Sequence, residues 1–133
     1  MLDRLKVLEK NVNILNDFRK KYSLEDLKEK EIEWVLRYGL FESIQIVIDL
    51  SCHIVSKYNL GNPSNYGDCI KILQEKKYIS SELAQTLQSM VGLRNILVHE
   101  YITVEVEKIY SLLDSISDFK LFAESIEKYL NDE

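Results

Sequence analysis

Helix-breaking residues are scarce in this chain, which has one proline and four glycines among its 133 residues. Because proline and glycine interrupt regular elements, so few of them favour long helices over a fold of many short strands. At this length we expect one domain, residues 1–133, with enough chain to bury a hydrophobic core. The composition, 46% hydrophobic and 29% charged, is typical of a soluble globular protein.

The sequence also lacks an obvious membrane or export signal. No apolar run approaches the length that a bilayer requires, and the amino-terminal stretch MLDRLKVLEK is charged throughout, unlike a signal peptide. We therefore expect a protein without a membrane association that remains in the cytoplasm, where it is made.

Cysteine and histidine are rare, with two of each. In a reducing cytoplasm we expect Cys52 and Cys69 to be free thiols packed in helices. A zinc site needs about four ligands, and the only candidates are Cys52, His53, Cys69 and His99. Because residues 52 and 53 point in different directions on a helix, we expect no metal and no cofactor.

An excess of positive charge is missing as well, since the net charge is −5. Broad electrostatic capture of nucleic acid depends on many lysine or arginine contacts to phosphate. The charge balance argues against that kind of binding, but it leaves room for a small groove that holds one or two phosphates.

Apolar residues recur at three- and four-residue steps, as in amphipathic helices. The first helix carries Leu5, Leu8, Val12, Leu15, Phe18 and Tyr22. A capping box at Ser23 and Asp26 predicts the start of a second helix, which continues from Leu24 to Tyr58 either unbroken or with a bend near Gly39.

The loop NLGNPSNYG ends that helix, and a short helix follows at about residues 68–76. Ser80 or Ser81 is the expected N-cap of a helix that runs to about His99 or beyond. Thr103 is the expected cap of a last amphipathic helix. The predicted fold is therefore all-α, an antiparallel four-helix bundle with an extra short helix.

The stretch SMVGLRNILVHEY, residues 89–101, places four polar side chains on an otherwise apolar helix. At about 100° per residue, one sector holds Arg94, Asn95, His99 and Tyr101, with Val98 among them. The opposite, core-facing arc holds Met90, Leu93, Ile96 and Leu97.

Two interpretations of this polar sector remain open. Arg94 and His99 could be cations at a helix C-terminus, where the helix dipole is negative, beside ordinary surface groups. Alternatively, the sector is a reactive site. Histidine exchanges protons near neutral pH, and arginine binds phosphate through paired hydrogen bonds, which together suffice for metal-free phosphodiester chemistry.

The spacing in RNILVHEY, an arginine followed by four residues, a histidine, one residue and a tyrosine, resembles the motif of the HEPN superfamily. Specifically, it is similar to HepT-type toxins of the HepT/MNT toxin–antitoxin systems, which pair with a minimal nucleotidyltransferase (MNT). The segments IQIVIDLSCHIV, NPSNYGDCIKIL and ISSELAQTLQSMVGLRNILVHEY share the family's order and spacing. The similarity covers roughly residues 35–105.

The resemblance implies a homodimer in the cytoplasm that cleaves RNA, either tRNA or mRNA, without a metal, as the toxin of a type VII-like system. It implies that Arg94 and His99 are catalytic and that Asn95 supports them. The two copies of the motif would meet across the dimer axis, at Val98. Tyr101 would be the site at which the MNT antitoxin adds AMP (AMPylation) and silences the toxin.

One position departs from the family pattern, because Gln45 stands where members often carry glutamate. If that acid orients the motif arginine or histidine, this chain is slower or relies on another group. Asp49 and His53, four residues apart, could form a pair that takes part, or simply an ion pair on the helix surface.

The motif leaves two functional classes to separate. In one, the chain is a metal-independent endoribonuclease. In the other, it is a non-catalytic helical subunit whose groove binds a nucleotide or docks a nucleotidyltransferase. Intact Arg94 and His99 favour the enzyme.

Overall fold

A computed structural model describes residues 1–98 and 105–131, and within these ranges it contains helices and turns but no strand. The helices are α1 (Leu2–Lys21), α2 (Lys30–Lys57), α3 (Tyr66–Glu75), α4 (Ser81–Val91), α5 (Arg94–Val98), α6 (Val106–Ser111) and α7 (Ile116–Ile126). Short 3₁₀ helices span Leu24–Lys28, Leu112–Ser115 and Glu127–Tyr129. The prediction of an all-α fold is confirmed.

Two predicted caps are present, but only one of them begins the expected α-helix. The hydroxyl of Ser80 accepts a hydrogen bond from the Leu83 N–H at 3.1 Å, which caps α4. The capping box at Ser23 and Asp26 is present, with the Ser23 N–H donating to the Asp26 carboxylate at 2.8 Å. It begins a 3₁₀ helix, however, so the predicted start of the second long helix at residue 24 is wrong, and α2 begins at Lys30.

Glycine has opposite effects in two helices. Gly39 lies within an unbroken α2, so the bend considered there is absent, and a Cβ at this position would be 3.1 Å from Leu15 Cδ2. Gly92 instead ends α4, and a turn through Leu93 precedes α5. The prediction of one helix from Ser80 to about His99 is therefore wrong. The low helix propensity of glycine permits a break, and the packing around each glycine decides whether one forms.

The last predicted helix is also segmented. Instead of one continuous helix, the chain forms α6, a 3₁₀ helix and α7. The expected stripe along it is buried at Ile109, Ile116, Phe119, Ala123, Ile126 and Leu130. Two of the four long helices predicted for the bundle are therefore divided into shorter segments. The expected cap, Thr103, lies outside the described residues.

The long helix α2 is the centre of the packing and contacts α1, α3, α4 and α5. It runs antiparallel to α1, because Arg4 pairs with Asp49 near one end and the Asn11 amide donates to Glu42 at 2.9 Å further along. This packing places the middle of α2 directly beside α5, the helix that carries the polar motif.

By length and composition alone, α2 could cross a membrane, with 28 residues and a mean hydropathy of 1.3 over its most apolar window. The expectation that no segment is long and apolar enough is therefore wrong. Within this fold 56% of that window is buried. Its contacts with several other helices, α7 among them, explain the apolar composition of α2 as that of a core helix.

The two cysteines form a disulfide between α2 and α3. Cys52 and Cys69 lie with their Cα atoms 5.1 Å apart, within the usual range for a disulfide. The expectation of free thiols is wrong, although Cys69 is buried as expected. The redox state of a compartment does not indicate which cysteines lie close together. The packing of α3 on α2 brings these two sulfurs together. The bond also removes both thiols from the metal-ligand set considered above.

Removing this disulfide is expected to lower the stability of the fold. Cross-links that close loops of this length stabilise by about 3 kcal/mol, so a Cys52→Ala/Cys69→Ala variant should melt roughly 10 °C lower. Thermal melts with and without a phosphine reductant measure the effect. The reductant should shift the parent protein and leave the double variant unchanged, and an unshifted parent would contradict the bond's contribution.

Candidate functional site

The motif arginine is held by a chain of hydrogen bonds that crosses three helices. Arg94 Nη1, at the start of α5, donates to Gln45 Oε1 on α2 at 2.6 Å. Gln45 Nε2 donates in turn to Asp49 Oδ1 at 2.9 Å, and Asp49 forms an ion pair with Arg4 of α1. The bond to Gln45 therefore fixes the Arg94 guanidinium on the side that faces α2, while the side chain stays partly exposed.

This arrangement explains why a glutamine occupies position 45. A guanidinium only donates hydrogen bonds and a carboxylate only accepts them. The side chain between Arg94 and Asp49 must therefore accept on one side and donate on the other, which an amide does. A glutamate could accept from Arg94, but it would face the Asp49 carboxylate with a like charge. Glutamine at position 45, where family members often carry glutamate, therefore suits a neighbouring Asp49 that accepts its hydrogen bond.

Changing Gln45 is expected to weaken the site in a way that a second change repairs. Gln45→Glu places two carboxylates together and should displace Arg94, lowering RNA cleavage about three- to tenfold. Adding Asp49→Asn restores a donor opposite the new carboxylate and should recover most of that loss. Cleavage rates of both variants against the parent measure this, and a double variant no better than Gln45→Glu would contradict the arrangement.

The predicted pair between Asp49 and His53 remains a prediction. What the structure adds is that both Asp49 oxygens already have partners, with Oδ1 accepting from Gln45 and Oδ2 paired with Arg4. Asp49 therefore contributes to the position of Arg94 through Gln45.

A second, buried arginine contacts the motif helix α5, and the sequence analysis did not single it out. Arg37 of α2 is 6% exposed, and its Nε donates to Glu33 at 2.7 Å. Its Nη1 donates to the carbonyl oxygens of Ile96 and Leu97 at 3.2 and 3.4 Å. A five-residue helix is unstable alone and leaves its last carbonyls without partners, so Arg37 stabilises α5. The sequence signal for Arg37 was its spacing from Glu33, since an acid four residues before an arginine predicts an ion pair on one face of a helix.

The face predicted for the motif helix is confirmed only in part within the described residues. Leu97 and Met90 are buried, Asn95 is exposed and Val98 is 44% exposed. Leu93 and Ile96, expected on the core side, are only partly buried. His99 and Tyr101 lie outside the described residues, so their positions relative to Arg94 stay predictions.

One further side chain contacts the motif arginine. The ring of Tyr66, the first residue of α3, has its centroid 5.2 Å from the guanidinium carbon of Arg94. This is the geometry of a cation–π contact. The structure therefore brings together groups from the motif, from the middle of α2 and from the NPSNYG loop, which are far apart in the sequence.

Comparison with known proteins shows the family to which this chain belongs. A family model described as Ribonuclease HepT-like matches residues 8–126. The chain belongs to this family. It is 32% identical over 80 residues to the mRNA nuclease HepT of Shewanella oneidensis, a match that covers 59% of this chain and 60% of that protein. It is 26% identical over 130 residues to the tRNA nuclease HepT of Aphanizomenon flos-aquae, covering 97% and 82%.

A solved structure shares the fold of this HepT-like chain. It is the tri-AMPylated HEPN toxin of Shewanella oneidensis in complex with its MNT antitoxin, with a TM-score of 0.86 and 22% identity over 96% of each chain. The resemblance to the HEPN superfamily that RNILVHEY indicated is thereby confirmed.

Proposed function

We propose that this chain is an endoribonuclease and the toxin of a HEPN/MNT toxin–antitoxin pair, acting in the cytoplasm on mRNA or tRNA. Family membership and relatives named as mRNA and tRNA nucleases support the class of reaction. The observation that carries the proposal is the Arg94 guanidinium, held at 2.6 Å by Gln45 and partly exposed. That bond uses one of five donors, and a phosphate held by two parallel hydrogen bonds needs only two more.

In the proposed reaction the substrate supplies its own nucleophile. The His99 imidazole accepts the proton of the ribose 2′-hydroxyl, and the 2′-oxygen attacks the adjacent phosphorus. The bond from phosphorus to the 5′-oxygen breaks, and that oxygen leaves with a proton, which the other motif's histidine can supply. The products are a 2′,3′-cyclic phosphate and a 5′-hydroxyl, with no metal required. Such proton transfer is worth about 10²- to 10⁴-fold in rate.

Arg94 has the complementary role of stabilising negative charge. Two of its N–H groups would bind the non-bridging oxygens of the scissile phosphate. Negative charge builds up on these oxygens as the 2′-oxygen attacks phosphorus. Asn95, exposed beside it on α5, would add a polar contact to the same phosphate or ribose. Because Gln45, Asp49 and Arg4 already fix the guanidinium, little reorganisation is needed when RNA binds.

The active form in this proposal is a homodimer in which the two motifs share one cleft. Exposed apolar side chains next to the site support it. Trp34 and Tyr38 are 51% and 62% exposed and lie on the same face of α2 as Gln45, and Val98 is exposed on α5. Trp34 thus lies outside the core of one protomer. Large apolar side chains exposed near a functional site are typical of an interface.

The MNT antitoxin would control the toxin through Tyr101. The tyrosine oxygen attacks the α-phosphorus of ATP, pyrophosphate leaves, and AMP becomes attached to the motif. The added phosphate is negative and the added base is bulky, so the group would compete for Arg94 and obstruct the cleft. The solved HEPN toxin, which is AMPylated and bound to its MNT antitoxin, supports this control.

Expressing the chain alone tests the proposal. The intact protein should arrest growth and fragment cellular RNA, whereas an Arg94→Ala/His99→Ala version should do neither. Equal amounts of folded protein, checked by circular dichroism, make the comparison fair. If the intact and double-substituted chains are equally harmless, the chain is instead a non-catalytic binding subunit.

A further inference from the structure

Tyr66 combines two properties that are seldom found together, because its large ring is exposed and yet firmly held. The side chain is 55% exposed, although most aromatic rings of this chain pack against the core. Burial therefore does not account for its position, and the ring contributes little to the apolar core. Its one described ring contact is with the Arg94 guanidinium.

The backbone that carries this ring is fixed at several points. The Asn65 side chain accepts a hydrogen bond from the Asp68 N–H at 3.0 Å, which fixes the turn in which Tyr66 lies. One turn further along α3, the disulfide ties Cys69 to Cys52 of α2. A side chain on such a frame loses little conformational freedom when a ligand binds, which favours affinity.

We propose that Tyr66 is a stacking site for the RNA base that adjoins the scissile phosphate. The inference rests on the proposed ribonuclease function and adds the way in which the nucleotide is held. An aromatic ring has two faces. Arg94 lies over one of them, and since the residue is 55% exposed, the other face is the one that we propose for the base. In a nucleotide the base is one sugar away from its phosphate. A ring that touches the phosphate-binding arginine is therefore within reach of that base.

Stacking of this kind suits an acidic protein that acts on RNA. With a net charge of −5, the chain has little general attraction for a polyanion. Base–aromatic stacking adds affinity without positive charge, and it favours unpaired nucleotides whose bases are free to turn outward. The inferred ligand is therefore a single-stranded stretch of RNA, with the base on Tyr66 and the phosphate on Arg94.

The test compares variants on two RNAs of one sequence, chosen by mapping a cut made by the parent enzyme. One RNA is complete, and the other lacks the bases on both sides of the cut but keeps every ribose and phosphate. Tyr66→Leu should raise KM about tenfold on the complete RNA. Tyr66→Phe, which keeps the ring, should behave like the parent. On the abasic RNA all three proteins should share one KM.

The other outcomes are decisive as well. If Tyr66→Leu lowers kcat/KM by the same factor on both RNAs, chiefly through kcat, the ring only positions Arg94 and the stacking site does not exist. If Tyr66→Leu cleaves both RNAs with the kinetic constants of the parent, the inference is also wrong. A parent protein that cuts no RNA would overturn the proposed function itself, and that result differs from both.

Discussion

Replacing Arg94 with alanine is expected to reduce RNA cleavage by about 10²- to 10³-fold, the usual cost of removing one preorganised donor from a developing negative charge. The loss should appear mainly in kcat, because the guanidinium interacts most strongly with the transition state. Initial rates on a defined RNA measure it. Since Arg94 is partly exposed, the variant should fold and melt like the parent.

Two controls distinguish this effect from a general loss of charge. Arg19→Ala removes an arginine of α1 that pairs with Asp114, near the opposite end of that helix from Arg4, and it should leave cleavage unchanged. Arg94→Lys keeps the charge but loses the planar fork, and it should recover only a small part of the rate. Full activity in a folded Arg94→Ala protein would exclude this side chain from the chemistry.

Substituting Tyr101 with phenylalanine is expected to separate toxicity from its control. The variant lacks the oxygen to which AMP is attached, while Arg94 and His99 are untouched. RNA cleavage should therefore remain within about twofold of the parent, since a substitution that removes no group used in the reaction usually has a small effect. Incubation with the MNT antitoxin and ATP should silence the parent and leave the variant fully active. Residual nuclease rates after that incubation provide the measurement.

The matched control is Tyr38, an exposed tyrosine of α2. Tyr38→Phe removes a hydroxyl that donates to Glu42, and the antitoxin should still silence this variant. Mass spectrometry should find added AMP at residue 101 in the parent and none there in the variant. If Tyr101→Phe is silenced like the parent, the switch lies elsewhere.

The sequence was most informative where periodic apolar burial decides structure. The all-α fold, the N-cap at Ser80 and the buried Leu97 opposite an exposed Asn95 all follow from helical spacing. Helix ends were harder, because Gly39 is tolerated inside α2 whereas Gly92 ends α4. The two glycines differ in their tertiary surroundings, which spacing along one helix does not report.

The support around Arg94 was only partly predictable, because it depends on contacts between residues distant in sequence. Gln45 was noticed as a departure, but its role became clear only when Asp49 proved to be its second partner. The contact of Arg37 with the end of α5 joins residues about sixty positions apart. The Cys52–Cys69 bond likewise follows from the packing of α3 on α2 rather than from cysteine spacing.

The chemical ends of the cut RNA test the central claim most directly. The parent protein should be incubated with a defined RNA in excess chelator, and the fragments analysed by mass spectrometry. Attack by the 2′-hydroxyl, with His99 accepting its proton and Arg94 binding the phosphate, gives a 2′,3′-cyclic or 3′-phosphate and a 5′-hydroxyl. The same RNA with a single 2′-deoxy nucleotide before the cut should stay intact. Fragments that carry a 5′-phosphate and a 3′-hydroxyl, or cleavage that stops with chelator, would contradict the account.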